Sequence, residues 1–384
     1  MTDLQIAVKN LSGGKNECFL VGDAQYPTIM VPFEKTTMSV NQSDGSLLDV
    51  LHPAFTVNDN EVDRFYMGKY LGIVKDGYGL SLPFQDPKVY VNFDQAKACC
   101  EANGDGHHLA TIAEYAHIAE QCRLSGFYPS GNNAYGKDYA KQYETGTVTY
   151  TYTSGETEYN GRTATGSGPK TWNHDGTANG VCDLNGNVYE WQSGYRTVDG
   201  EIQILENNNA AKNLSGIVSN QTSTSVEWKA IMPDGTLVSP GTTGTLKWDY
   251  LTAGVTTSGS YGLNTVFSNP AADTNAYGSV SFASLNAFPG VDIPNILKML
   301  GLMPNDPGGN YGADYNYMRN TGERLASRGG NWIYTSRAGV FCSCGGYPRS
   351  DSDLRHRVSS SFSNLIGHVI TCAFYKNKRK LWKN

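Results

Sequence analysis

Charge is scarce in this sequence, and long apolar runs are missing. Asp, Glu, Lys and Arg make up 17% of 384 residues, against roughly a quarter in an ordinary soluble domain. The net charge of −6 excludes the basic footprint of a nucleic-acid-binding protein. Only Lys376–Lys383, KNKRKLWK, is strongly basic, and it reads as a solvated tail. No stretch approaches the roughly 18 apolar residues of a membrane span, so no membrane insertion is expected. The opening MTDLQIAVKNLSGGKN lacks a basic segment followed by an apolar one. No signal peptide is therefore expected, and the chain should be made and folded in cytoplasm.

Recognisable reactive spacings are missing too. None of the eight cysteines stands in a C-x-x-C pair. Cys342-Ser343-Cys344 is too tight for a redox or zinc pair, and Cys99-Cys100 reads as buried thiols on a helix. An even cysteine count in a long chain without a leader does not indicate a disulfide framework. His52, His107, His108 and His117 form no H-E-x-x-H or i, i+4 ligand pair and read as structural. There is no G-x-S-x-G elbow, phosphate loop or dinucleotide fingerprint.

What the chain does hold is glycine, 43 residues, and tyrosine, 24 residues. A turn-rich, tyrosine-rich, charge-poor composition favours β-structure with many loops. Residues 1 to about 60 read as a separate small β unit. LQIAVKNL and ECFLVGD alternate like half-buried strands. YPTIMVPFE is a strand whose prolines place it at an edge. Beyond Val62, a strand precedes two helices. The first runs from Asn92 or Asp94 to Ala102. The second is capped by Thr111 and ends before Gly126. Residues 127–180 are loop-rich, with one strand expected at TVTYTYT. Residues 197 to about 325 read as a β-rich insert, with a turn at Pro233-Asp234-Gly235 and a short helix before Pro304.

Two stretches carry more specific patterns. In Gly180–Trp191, GVCDLNGNVYEW, a turn cluster leads into a strand. Asp183, Asn185, Asn187 and Glu190 supply oxygens at close spacing there, either for a structural calcium or for a turn closed by Asx bonds. In the stretch from Arg328, scaffold-like residues (Gly329, Gly330, Trp332, Ala338, Gly339, Val340, Phe341) alternate with an irregular set. That set is Ile333, Tyr334, Arg337, Cys342, Cys344, Tyr347, Asp351, Asp353, Leu354, Arg355 and His356. Trp191 and Trp332 read as core. Tyr and Arg at positions 334, 337, 347 and 355 are residue types that dominate binding hot spots.

Three ordered blocks resemble the formylglycine-generating-enzyme branch of the C-type lectin fold. They are FYMGKYLGIV with the helix pair after it, NGVCDLNGNVYEW, and SRGGNW. The resemblance implies an α+β C-type lectin fold over residues 61–384, with the small N-terminal β segment at 1–60 and the β-rich insert at about 197–325. The oxidases of that branch carry a cysteine pair where this chain has Tyr334 and Gly339. Phenol and hydrogen cannot replace thiolates as copper ligands, so the resemblance supports the fold and counts against the chemistry.

Gly329-Gly330-Asn331-Trp332, Ser336 and Ala338-Gly339-Val340-Phe341 also resemble the closing motif of variable proteins of diversity-generating retroelements. These include phage tropism determinants. That likeness implies a variable region at about 328–368 in which template Asn codons are mutated at adenine. Such codons cannot become Lys, Glu, Gln, Met or Trp, and none of these five occurs from Ile333 through Tyr375. The motif match fades after Arg349. The implied protein is a non-enzymatic receptor-binding component of a phage or prophage tail fibre. It would have no cofactor beyond a possible structural calcium, and would bind a host cell-surface receptor and other virion tail proteins. It would form a homo-oligomer, possibly a trimer, and would not bind nucleic acid.

Overall fold

The computed structural model describes residues 1–352 and the backbone of 358–359 and 362–364. Its first element corrects the strand expected at LQIAVKNL: Asp3–Leu11 is a helix, α1. Thr2 and Gln5 close a reciprocal capping box, and no residue of α1 is buried. Without a buried face to enforce a two-residue period, the local cap decides. The Gln5 side-chain amide donates to the Cys18 carbonyl at 3.0 Å, fastening the helix to the next strand.

Glu17–Val21 and Tyr26–Glu34 follow as strands of a five-stranded sheet, continued by Arg64–Gly68, Phe362–Asn364 and His107–Leu109. Tyr26–Glu34 is an inner strand of that order, not an edge. Its prolines are tolerated because the pairing is staggered. Residues 26–30 pair only with Glu17–Val21, residues 30–34 pair only with Arg64–Gly68, and the two ladders share Met30 alone. Pro27 and Pro32 each lie where the strand has one neighbour, as an edge would offer. The sheet also runs across residue 60 through this pairing.

The two expected helices are present as α2, Phe93–Glu101, and α3, Ile112–Ser125. Each begins in a capping box, Asn92 with Gln95 and Thr111 with Glu114. Gly126 ends α3 in the left-handed conformation, φ 70°. α3 is buried on nearly every side, Glu114 included. One Glu114 oxygen accepts the Thr111 amide at 2.8 Å and the other lies 3.0 Å from His108 Nε2, so the buried carboxylate is satisfied.

A twelve-stranded sheet forms much of the rest, with several two-stranded hairpins outside it. Its centre is Tyr189–Val198, Glu323–Gly329 and Gly339–Tyr347, paired in that order. Residues from the expected insert add strands to this same sheet: Glu201–Leu205 beside Tyr189–Val198, and Tyr315–Met318 parallel to Gly339–Tyr347. The described residues are β-rich with few α-helices, the last of them the short α4, Asn295–Met299. No helix among the described residues is long and apolar enough to cross a membrane.

The fully buried guanidinium of Arg328 ties the central strands to the insert. It donates to the carbonyls of Leu300, at 3.1 Å, and Gly301, at 2.8 Å, just past α4. Its carbon lies 5.9 Å from the Tyr115 ring on α3. One charged side chain thus joins three elements through two carbonyls and a ring face.

Candidate functional site

The strand Glu323–Gly329 delivers the chain to a loop, Asn331–Ala338, through two glycines in the left-handed region, Gly329 at φ 89° and Gly330 at φ 82°. A methyl group on Gly330 would sit 2.7 Å from the Ala338 side chain. Only glycine fits this turn. Main-chain bonds hold the loop. Gly186 donates to the Gly329 carbonyl at 2.9 Å, Tyr135 to Trp332 at 2.8 Å and Thr335 to Asn133 at 2.9 Å. Asn331 Oδ1 accepts the Ile333 amide at 3.1 Å. The loop therefore takes its shape from its backbone, from Asn331 and from buried Trp332. The Ile333 side chain adds nothing to that frame, whereas the Thr335 hydroxyl donates to the Tyr334 carbonyl at 2.8 Å from a residue held in left-handed backbone, φ 52°.

The side chains of Ile333, Thr335 and Arg337 are exposed, Ile333 at 44% of its surface. Arg337 lies 4.8 Å from the Tyr315 ring. Tyr334 is half-buried between Tyr189 and Tyr317, each ring 5.5 Å away and edge-on. Burial pushes its phenol well up. On the other flank Trp332 lies 6.3 Å from Tyr150. From there Tyr150, Tyr152, Tyr159 and Tyr135 follow ring to ring at 6.3, 5.6 and 5.3 Å. Tyr152 and Tyr159 belong to the hairpin Thr151–Ser154 with Thr157–Asn160. The single strand expected at TVTYTYT is only the later half of that motif and the first arm of this hairpin. Beside it opens a cleft of 410 Å³ lined by Tyr135, Lys137, Glu158, Tyr159 and Asn160, among others.

Several expected display positions are not displayed. Cys342, Cys344 and Tyr347 are buried, packed with Tyr189 and Trp191 in one apolar cluster. The reason is their strand: Gly339–Tyr347 pairs on both sides, with Glu323–Gly329 and with Tyr315–Met318, and of its residues only Ser343 is partly exposed. Burial raises the Cys342 thiol well above its ordinary value and the Cys344 thiol to about 12. Asp351 is half-buried and donates its amide to the Pro348 carbonyl at 3.0 Å. Just before it, Arg349 pairs with Glu323 and Asp94 at 2.8 and 2.7 Å, pinning this end of the tract to α2. Asp353, Leu354, Arg355 and His356 lie outside the described residues.

Gly339, where the oxidases have a thiol, is sterically closed. A Cβ there would lie 2.2 Å from Asp314 Oδ1, and Asp314 accepts the Phe341 amide at 2.8 Å from inside the core.

The turn cluster at 183–190 spends its polar groups on the protein. Asp183 accepts the Gly166 amide at 2.7 Å, and burial raises its carboxyl to about 7. Asn185 donates to the Pro129 carbonyl and accepts from Asn133, at 2.8 and 3.2 Å. Asn187 bridges Thr163 N and O, each at 3.0 Å, and accepts from Asn132 at 3.2 Å. Glu190 is buried on the central strand. These bonds reach Pro129, Asn132, Asn133, Thr163 and Gly166, so the cluster is held by partners distant in sequence and not by Asx bonds within the turn. No group of three or more His, Cys, Asp or Glu side chains able to hold a metal occurs among the described residues.

Sequence reasoning passed over Thr335, Tyr135, Tyr152, Tyr159, Tyr315 and Tyr317. The density of tyrosine in YTYTSGETEY and YNYM was the available signal.

Residues 75–233 match the family of the sulfatase-modifying factor enzyme 1-like domain. The match covers α2, α3 and the turn cluster, and it supports a C-type-lectin-like fold there. Two solved structures are similar to the chain. PvdO from Pseudomonas aeruginosa is 19% identical, with 51% of this chain and 78% of that one covered and a TM-score of 0.26. Treponema denticola variable protein 1 is 10% identical, with 91% of this chain and 99% of that one covered and a TM-score of 0.32. No curated protein matches the chain in sequence.

Proposed function

We propose that the protein is a non-enzymatic ligand-binding protein whose C-terminal surface is diversified by a retroelement, and that it serves as a phage or prophage receptor-binding component. The observation that carries this reading is the division of labour in the loop 331–338. Backbone bonds, Asn331 and Trp332 hold most of its shape, so the outward residues Ile333 and Arg337 are exchangeable at little cost to the fold, and Thr335, in left-handed backbone, at some cost. The absence of Lys, Glu, Gln, Met and Trp from 333–375 agrees with adenine-directed mutation. The two aromatic rows give the exchangeable residues a rigid surround of the kind that binding surfaces favour. Against oxidation stand the closed position at Gly339 and the buried, protonated thiols of Cys342 and Cys344, since a metal-binding or nucleophilic cysteine must be a thiolate.

In this reading the N-terminal segment and the insert serve oligomer formation and attachment to other virion tail proteins, with a trimer as the working model. The host receptor is met by several copies at once.

The test is to sequence many copies of the gene from one population. Ile333, Thr335 and Arg337 should vary far more than Gly330, Asn331 and Trp332. Equal variability would remove the diversification. Copper-dependent oxidation of a cysteine peptide, lost on changing Cys342 or Cys344, would restore the oxidase.

A further inference from the structure

A second cleft, of 290 Å³, shares no residue with the display loop. Pieces of chain remote in sequence converge on it. Leu51 and Pro53 come from the N-terminal segment, Ile112 from the start of α3, Ile204 from the central sheet, Leu237 from an insert hairpin and Met299 from α4. Native interiors fill such spaces with side chains. Largely apolar clefts where separate chain segments meet are the ordinary form of a small-molecule site.

Of the polar side chains in the wall, Thr56, Glu206, Asn207 and Asn208, one is buried with an unpartnered donor. Asn207 and Asn208 both hold left-handed backbone, φ 50° and 53°. Asn207 Nδ2 donates to Asp59 at 2.5 Å, and Asn209 Oδ1 accepts the Asn58 amide at 2.7 Å. The two neighbours thus clamp the turn to the N-terminal segment and leave Asn208 facing the cleft. Asn208 is 7% exposed, and its Nδ2 has no acceptor in the protein. A buried amide donor without an acceptor is costly, so this site favours a molecule that supplies one. Glu206, exposed, is the single ionisable side chain of the lining. No cation lines the cleft to hold an anion, and its one carboxylate stands in solvent and not buried beside Asn208, so a neutral ligand fits this lining best.

We propose that this cleft binds a small neutral apolar molecule carrying one hydrogen-bond acceptor, received by the Asn208 side-chain amide. A cavity of roughly 150 Å³ accepts benzene, so this one accommodates a ring with a short substituent. Acetophenone has that size and one carbonyl acceptor. Isopropylbenzene has the same number of heavy atoms and no acceptor.

The full chain is titrated with each compound by ligand-observed NMR and calorimetry. Acetophenone should bind saturably. Leu237→Trp, which fills the cleft, should abolish binding of both compounds, with Met299→Trp as the substitute if that variant does not fold. Asn208→Asp keeps the backbone preference and removes the donor. It should lower acetophenone affinity relative to isopropylbenzene by about tenfold, the worth of one hydrogen bond. No saturable binding of acetophenone overturns the proposal, as does binding indifferent to filling the cleft. An unchanged ratio in Asn208→Asp overturns the role of the amide.

Discussion

Gly330 and Ile333 are three residues apart and respond to opposite rules. A methyl on Gly330 meets both a left-handed backbone and Ala338 at 2.7 Å. Gly330→Ala should therefore cost about 2–4 kcal/mol, combining backbone strain with overpacking. Ile333→Ala, on an exposed side chain outside the loop's frame, should stay within about 0.5 kcal/mol. Urea unfolding of the two variants measures both, and comparable losses would mean that the side chains do shape the loop. The cysteines at 342 and 344 give a further residue-scale outcome. With both thiols buried and held protonated, iodoacetamide should leave them unmodified in the folded protein and alkylate them after denaturation, as read by mass spectrometry. The glycine pair was legible in the sequence because a double glycine before a tryptophan signals positive φ. Cysteine burial was not, because alternation along one strand cannot show that the strand has neighbours on both sides.

Elements are joined by buried polar groups, and these set measurable energies. Arg328 bonds the central sheet to the end of α4 through two carbonyls. Arg328→Leu should cost about 3 kcal/mol by leaving them unpaired. Hydrogen exchange should rise first around residues 295–303, whereas uniform loosening would argue against a local clamp. The N-terminal segment meets α3 through a histidine and phenylalanine cluster, with His52 5.0 Å from His117 and Phe33 5.5 Å from His174. Burial lowers His117 and His174 to about 4. Above about pH 7.5 these groups are neutral in both states. As pH falls from there towards 4, only the unfolded chain takes up their protons, and stability falls. Asp183, raised to about 7, acts in the opposite sense, because there the folded chain holds a proton that the unfolded chain has lost. His117→Gln should flatten the loss between pH 6.5 and 4.5 by about 1.4 kcal/mol per unit, and Asp183→Asn should steepen it. Denaturant midpoints across that range test both signs.

At the scale of the whole molecule, the sulfatase-modifying-factor-like segment at 75–233 supplies the helices and the turn beneath the display loop, while the strand that presents the loop comes from beyond it. Under the proposed function, single loops need bind only weakly. Coupling several copies should raise apparent affinity by roughly 10² to 10⁴. Comparing the monomeric chain with a bead- or particle-coupled array on the same cells measures this gain, and equal affinities would mean that copies do not engage together. The aromatic hairpin 151–160 belongs to the same face, so Tyr152→Ala together with Tyr159→Ala should weaken binding across loop variants alike.

Local chemistry alone determined the capping boxes of α2 and α3, the left-handed glycines and the absence of a thiolate pair at 334 and 339. Each depends on residues within a few positions of one another. Tertiary structure decided what required distant partners. It made an inner strand of Tyr26–Glu34 by staggering its neighbours, and drew Cys342, Cys344 and Tyr347 into a doubly paired strand. It also set two rows of tyrosine from four parts of the chain beside one loop. Exposure is a property of what packs against a residue, and those neighbours lie tens to hundreds of positions away.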